Sequence, residues 1–430
     1  MGGIIGVGIF FNPQSVAALV PHTGAYLSLW ILGGILALAG ALTFAELSAT
    51  FPKSGGWFVF LREAFGPFPA FLFAWVVLLV VSTGACAVIA DFSAAQFQLL
   101  LWPAGDAPSY AGTAIGLCML VVITIIAMTG TKNGARFQNL CMFLKLGAVL
   151  ALTLAGLLIA SGETIAASAV LSELPETSSL ANGMMQATLP VLFSYGGWQL
   201  VTYIAPKIEN PQRTLPRSIL IGVSGVAVVY LLVNFAYVRV LGIGGLATTN
   251  NFAAEVARRT LGPSGETILI AMMAVSSLGI CAAIILATPG LYVAMAREKL
   301  FFSVFGREHA RTGAPIPALT VQCIVMCLYL LWGRAGMLTD AVVFTEWIFH
   351  LLCGLALLSI RKHRPELERP FVSPAYPLFP IIYAGLAAAV LIGSLVTTPF
   401  ETTRLGIGVL AIGAIVYRPW RNFLARQSAA

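Results

Sequence analysis

The chain has 430 residues, of which 59% are hydrophobic and only 10% charged, where an ordinary soluble domain carries roughly 25% charged residues. A water-soluble globule of this length cannot hide so much apolar surface, so the composition indicates an integral membrane protein. The net charge of +7 does not indicate nucleic acid, because the basic residues sit in short clusters between apolar runs, as in loops facing the cytoplasm.

A bilayer span needs about 20 apolar residues, and the chain supplies about 12 such runs. Span 1 runs from the start to about Leu19, span 2 over Ser28–Thr50, span 3 over Pro69–Leu100, and spans 4 and 5 over Ala111–Thr129 and Phe137–Ala160. A polar stretch with Glu163, Glu173 and Glu176 precedes span 6 at Met184–Ala205. Spans 7 to 10 follow at Ser218–Leu241, Glu266–Met295, Pro317–Trp332 and Leu338–Ile360, and spans 11 and 12 at Tyr376–Val396 and Arg404–Val416. With span 1 running outward, the inner loops and tail hold 18 of the 24 Lys and Arg. That bias predicts both termini on the cytoplasmic side, in a multi-pass protein of the plasma (inner) membrane. The first residues lack a basic n-region and a small-residue cleavage site, so no cleavable signal peptide is expected. The seven cysteines (Cys86, Cys118, Cys141, Cys281, Cys323, Cys327 and Cys353) lie in apolar runs without metal-ligand spacing. They read as small core residues, and neither a metal nor another cofactor is expected.

Two spans carry backbone breakers at their middles. Span 1 reads Gly2-Gly3-Ile4-Ile5-Gly6-Val7-Gly8-Ile9-Phe10 with Pro13 soon after, and span 6 reads Pro190-Val191-Leu192-Phe193-Ser194-Tyr195-Gly196-Gly197-Trp198. Glycine costs about 1 kcal/mol in a helix interior, and isolated glycines in membrane helices usually serve close packing. Here the clusters recur in the first and sixth spans, the corresponding positions of a five-helix repeat, which points to a midplane site built from unwound helices. Free amides at an unwound helix start bind a carboxylate, and carbonyls orphaned at a broken end accept an ammonium. One break of each kind suits a zwitterion. Gly6-x-Gly8 is not a dinucleotide fingerprint, since Phe11 stands at the third glycine and no strand–helix unit surrounds it.

The motif Gly6-Val7-Gly8-Ile9-Phe10 resembles the first-helix motif of the amino acid–polyamine–organocation transporters. Similarity to the L-type amino acid transporter branch extends through Ala45-Glu46-Leu47, Phe51-Pro52-Lys53-Ser54-Gly55-Gly56-Trp57 and Glu63-Ala64-Phe65-Gly66-Pro67. It continues through Tyr195-Gly196-Gly197-Trp198, Asn210-Pro211-Gln212-Arg213-Thr214-Leu215-Pro216-Arg217 and Ala294-Met295-Ala296-Arg297-Glu298. The resemblance implies an all-α LeuT-type fold. Residues 1–160 would form a first repeat of spans 1–5, residues 161–360 an inverted second repeat of spans 6–10, and residues 361–430 two peripheral spans and a tail. Carried over by position, Ile5, Gly6, Val7 and Gly8 would face a substrate carboxylate. Phe193, Ser194 and Gly196 would face its amine, with Phe193 also closing over the site as a gate. Two departures stand out. The chain begins almost at the motif where relatives carry a cytoplasmic tail and a full inner half of span 1, so the expectation is a natural start upstream, the alternative being a fragment that lacks the inner gate. Span 8 ends Thr288-Pro289-Gly290-Leu291-Tyr292, where relatives often have arginine, so its inner end is expected to kink differently.

Lys145 lies roughly 12 Å into span 5 at 1.5 Å per residue, where an unpaired ammonium is costly. One reading is a lysine snorkelling inward along its stem. The resemblance implies the other, an ammonium in the space that sodium fills in sodium-driven relatives, near span 1 carbonyls and the hydroxyls of Ser276 or Ser277. A fixed cation there implies sodium-independent transport, while burial of the same group leaves a proton-carrying role open. Glu46 and Glu209, near the cytoplasmic loops, are expected in salt bridges or gating and not in substrate contact. Asp91 reads as a solvated vestibule residue, His350 as a satisfied core histidine and Trp198 as packing. The functional expectation is a carrier of L-amino acids, chiefly neutral, working by alternating access as an exchanger or facilitator. Its competitors are a proton-coupled amino acid or amine symporter of the same fold and an amino acid sensor that moves nothing. A membrane enzyme is disfavoured, with four histidines in total and no clustered His and Asp at a membrane face. The expected partners are the small-molecule substrate and the lipid bilayer, with no nucleic acid and with an accessory subunit left open.

Overall fold

The computed structural model describes residues 3–158 apart from Val7 and Ala104, and residues 180–429 apart from 398 and 399. The polar stretch with Glu163, Glu173 and Glu176 lies outside the described residues, as does Val7. Regular structure among the described residues is helical throughout, and eight helices are long and apolar enough to cross a membrane.

Span 1 is α1 (Gly8–Leu19) and span 2 is α2 (Thr23–Thr50), which starts five residues earlier than predicted because the His22 ring accepts the Ala25 N–H at 3.3 Å. A short helix α3 (Trp57–Phe65) leads into span 3, which is α4 (Pro67–Val76), a π-helical turn (Val77–Val81) and α5 (Ser82–Leu101). The π turn has a local cause. Ser82 and Thr83 donate their hydroxyls five residues back, to the Val77 and Leu78 carbonyls at 2.7 and 3.0 Å.

Spans 4 and 5 are α6 (Ala111–Met128) and α7 (Thr131–Leu158). Span 6 is α8 (Leu180–Ser194) followed by a 3₁₀ segment (Trp198–Lys207), and span 7 is α9 (Pro211–Thr248). Span 8 is α10 (Phe252–Ala287), which gives way at Thr288 to α11 (Pro289–Arg297), because proline starts a helix readily and cannot continue one. Thr288 itself keeps helical φ and ψ (−62° and −36°), so what Pro289 removes at this step is a ladder hydrogen bond. Spans 9 to 12 are α12 (Ile316–Trp332), α13 (Ala335–His363), α14 (Leu378–Thr397) and α15 (Phe400–Ala429).

Packing joins α1 to α8, α2 to α9, α5 to α10 and α6 to α12, while α7 lies along both α9 and α10. Aromatic rings fill the centre: Trp30, Tyr195 and Tyr230 meet at centroid distances of 5.2 to 6.2 Å, and Trp57 stacks on Phe73 at 5.2 Å. Large apolar side chains such as Ile35, Ile221, Val228 and Ile392 face outward, as a bilayer-embedded surface permits. Cys118 does so as well, which corrects its assignment to the core, and Cys323 and Cys327 are half-buried; the other four cysteines are buried. Helices that are apolar all round give no periodicity from which to read their facing.

Candidate functional site

The non-helical stretches of spans 1 and 6 touch. Residues 3–6 are non-helical before α1 begins at Gly8, and α8 stops at Ser194, leaving Tyr195–Gly197 non-helical before the 3₁₀ segment. A β-carbon on Gly8 would lie 2.9 Å from both Cα and Oγ of Ser194, and one on Gly197 would lie 2.1 Å from the Gly3 carbonyl oxygen. Gly197 also holds φ at +96°, a region glycine enters without penalty. Close packing and unwinding therefore coexist here: the breaks can meet only because these positions lack side chains.

The first turn of α1 carries amides without intrahelical acceptors and the positive end of the helix dipole. It meets the carbonyl end of α8. Such a junction can hold an anion against one strand and a cation against the other. Side chains fix it in place. Asn12 Nδ2 donates to the Pro190 carbonyl at 2.9 Å and to Ser194 Oγ at 2.8 Å, and Ser194 Oγ itself donates to the Pro190 carbonyl at 2.8 Å. From α9, the Tyr230 hydroxyl donates to the Ile4 carbonyl at 3.0 Å, and the Tyr195 hydroxyl donates to the Trp30 carbonyl of α2 at 2.8 Å.

Of the predicted substrate residues, Ile5, Gly6, Gly8 and Ser194 are buried at this junction and Gly196 is half-buried beside it. Phe193, on the last turn of α8, is 45% exposed. Lys145 is buried on α7, and Ser276 and Ser277 are buried on α10, which packs against it. Ser277 donates to the Met273 carbonyl at 3.0 Å, whereas Ser276 Oγ has no hydrogen-bond partner among the described residues.

At the other end of α2, Glu46 is fully buried and takes two charge-assisted bonds from Arg361 of α13, at 2.7 and 2.6 Å. The Ser373 N–H donates to it at 2.8 Å, Arg369 approaches to 3.8 Å, and the Arg361 guanidinium lies 3.8 Å over the Tyr376 ring. Glu209 is exposed, and its carboxylate makes no ion pair among the described residues. Beside the Glu46 cluster, Arg62 contacts both Glu63 and Glu298, and Arg364 reaches Glu63 at 2.6 Å. Burial opposes ionisation of Glu63, but hydrogen bonds from Arg62 and Arg364 and their charges outweigh it and hold the carboxyl below its ordinary range.

His350 is buried, hydrogen-bonded to the Tyr383 hydroxyl and packed edge-on to Trp57 at 4.7 Å, as a core histidine. Trp198 packs between Phe44 and Tyr383, and Asp91 is exposed in a shallow recess with Arg334. Four residues at or near the breaks carry no motif: Asn12, Gln199, Tyr230 and Glu346. Glu346 was the readable one, since an ionisable side chain in mid-span is a functional candidate by default.

The chain matches the amino acid permease family over residues 1–417. It is 31% identical over 417 residues to the cystine/glutamate transporter of Homo sapiens, covering 95% of this chain and 80% of that protein. Identity to the b(0,+)-type amino acid transporter 1 of Rattus norvegicus is 30% over 403 residues, covering 93% and 81%. The serine/threonine exchanger SteT of Bacillus subtilis (strain 168) is 28% identical over 414 residues, covering 95% and 91%.

Proposed function

We propose that this chain, which belongs to the amino acid permease family, moves L-amino acids, neutral ones among them, by alternating access as a sodium-independent exchanger or facilitator. It is a multi-pass membrane protein and a transporter, not an enzyme. The observation that carries the mechanism is the meeting of the two breaks, Gly3 against Gly197 and Gly8 against Ser194. Amides of residues 5–8 take the substrate carboxylate, the end of α8 at Phe193, Ser194 and Gly196 takes its ammonium, and the Phe193 ring closes over the occupied site. The pairing of α1 with α8, α2 with α9, α5 with α10 and α6 with α12 supports a LeuT-type arrangement of about 12 spans. In it, residues 1–160 and 161–360 form the inverted repeats, residues 361–430 are peripheral, and both termini are cytoplasmic in the plasma membrane. Glu46 and Glu209 belong to the cytoplasmic gating layer.

Coupling is assigned to Lys145. Its buried ammonium on α7 fills the space beside Ser276, Ser277 and the span 1 carbonyls, and like-charge repulsion then excludes a sodium ion from that cavity. Labelled amino acid uptake into proteoliposomes preloaded with unlabelled amino acid tests this. The rate is expected to rise with internal amino acid, to persist when choline replaces sodium, and to fall sharply in Lys145→Ala. Sodium-stimulated uptake by the intact protein overturns it. Uptake driven by an imposed proton gradient, lost in Lys145→Ala, favours the proton-coupled alternative; binding without flux favours the sensor.

A further inference from the structure

Gln199 stands two residues beyond Gly197, and both ends of its amide are engaged. Its Oε1 accepts the Gly197 N–H at 2.9 Å, and its Nε2 donates to Glu346 Oε1 on α13 at 3.1 Å. One buried side chain thus sets a carboxylate beside the unwound strand. Glu346 points into the protein: Val342, Phe349 and His350, one helical turn away on the same face of α13, are all buried. Yet a quarter of its side-chain surface remains accessible, so the side chain is not sealed by its own neighbours.

The carboxylate is incompletely met. Gln199 gives it a single neutral hydrogen bond, and its Oε2 receives none among the described residues. Among the described residues the nearest basic group is His350 Nε2, 4.0 Å away, beyond hydrogen-bond reach, and the same ring is held by the Tyr383 hydroxyl. A carboxylate inside a membrane bundle demands a cation or several donors. Here the protein supplies one donor, and it comes from the same Gln199 amide that holds the Gly197 N–H of the break.

We propose that Glu346, positioned by Gln199, reads the substrate side chain, and that this subsite selects amino acids ending in a hydrogen-bond donor, an ammonium or guanidinium above all. The proposal rests on the transport reading above and adds the substrate class to it. With the amine and carboxylate of the substrate at the breaks, a cationic side chain would extend past Gln199 to the unsatisfied oxygen.

The test uses the full chain in proteoliposomes and compares KM for labelled lysine, leucine and glutamate. The intact protein is expected to favour lysine over leucine. Glu346→Gln is expected to shrink that ratio by about tenfold or more, because a site built for a cation loses the charge that pairs with it. Glu346→Lys is expected to turn the preference from lysine to glutamate. Gln199→Ala, which frees the carboxylate from its support, should lower the ratio less than Glu346→Gln does. A lysine-to-leucine ratio unchanged in Glu346→Gln, or an intact protein that prefers leucine, overturns the proposal. Lysine-dependent thermal stabilisation of detergent-purified protein reads the same preference without flux, and must likewise be lost in Glu346→Gln. An intact protein stabilised by lysine but moving no amino acid removes the transport reading and leaves the subsite standing.

Discussion

Glu46 and Glu346 are both carboxylates set inside the helical bundle, and the protein treats them in opposite ways. Glu46 is sealed from solvent and receives two bonds from Arg361 and one from the Ser373 amide, with Arg369 close by. It pins α2, α13 and the connection before α14 to one another. Glu346 receives one neutral bond and keeps a quarter of its surface open. Where a charge serves the fold, the chain completes its partners from its own residues. Where a charge is left incomplete, the missing partner is sought outside the chain.

The sharpest way to break this contrast is by stability. Removing one member of a buried ion pair leaves the other uncompensated, at a cost of about 3–5 kcal/mol. Glu46→Gln and Arg361→Ala are therefore expected to lower Tm strongly in detergent unfolding. Glu346→Gln keeps an oxygen able to accept the one Gln199 bond, and is expected to cost about 1 kcal/mol or less. Equal losses at the two sites would erase the distinction.

A second comparison separates the two glycines of span 1. A methyl at Gly8 runs into the Ser194 backbone at 2.9 Å, whereas one at Gly6 meets only the tip of the Ile280 side chain, at 3.3 Å, and its own strand at the Ile4 carbonyl, at 3.4 Å. Gly8→Ala should destabilise by about 1–3 kcal/mol through overpacking. Gly6→Ala should stay folded, with Tm little changed, and lose amino acid affinity, as read by ligand-dependent thermal shift. Normal affinity in folded Gly6→Ala would remove the span 1 amides from the site.

The smallest effect belongs to the half-exposed ion cluster of Glu63, Arg62 and Arg364. The Glu63 carboxyl is held below its ordinary range, so its contribution to stability is complete above about pH 4.3, the unfolded value, and disappears as pH falls through the lower folded value. Between neutral pH and about pH 5 this group should leave Tm unchanged, and below about pH 4.3 the loss should be partial because solvent screens the cluster. Glu63→Gln should flatten that acid limb. An acid limb identical in the variant would assign it to other carboxylates.

The non-helical stretches were legible because glycine and proline declare themselves: their clustering in spans 1 and 6 signals unwinding or close approach, and both occur here. Their contact was implied by the repeat. What stabilises them was not legible, because Tyr230 and Asn12 sit in apolar helices where any side chain reads as core, and their acceptors, the Ile4 and Pro190 carbonyls, are backbone atoms far along the chain. The π turn was hidden for a related reason, since Val77–Val81 is uniformly apolar and only the hydroxyls of Ser82 and Thr83 mark it. Glu46 could be placed near basic loops, but its choice of Arg361, 315 positions away, depends on packing alone. Glu346 met Gln199 in the same way, across 147 positions.

That π turn acts as a phase shifter between the two halves of its span. An α-helix advances about 100° per residue, so housing one surplus residue at Val77–Val81 sets the azimuth of everything beyond it. Ser93, which donates to the Ala274 carbonyl of α10 at 3.1 Å, and Ser82, which meets the Tyr292 hydroxyl at 3.0 Å, keep their bearings only while the surplus is present. Exchanging one valine there for another apolar residue leaves the angle untouched. Deleting one would restore the ordinary pitch and swing the C-terminal half of the span by more than a quarter turn, carrying Ser93 away from α10 without altering a single polar residue.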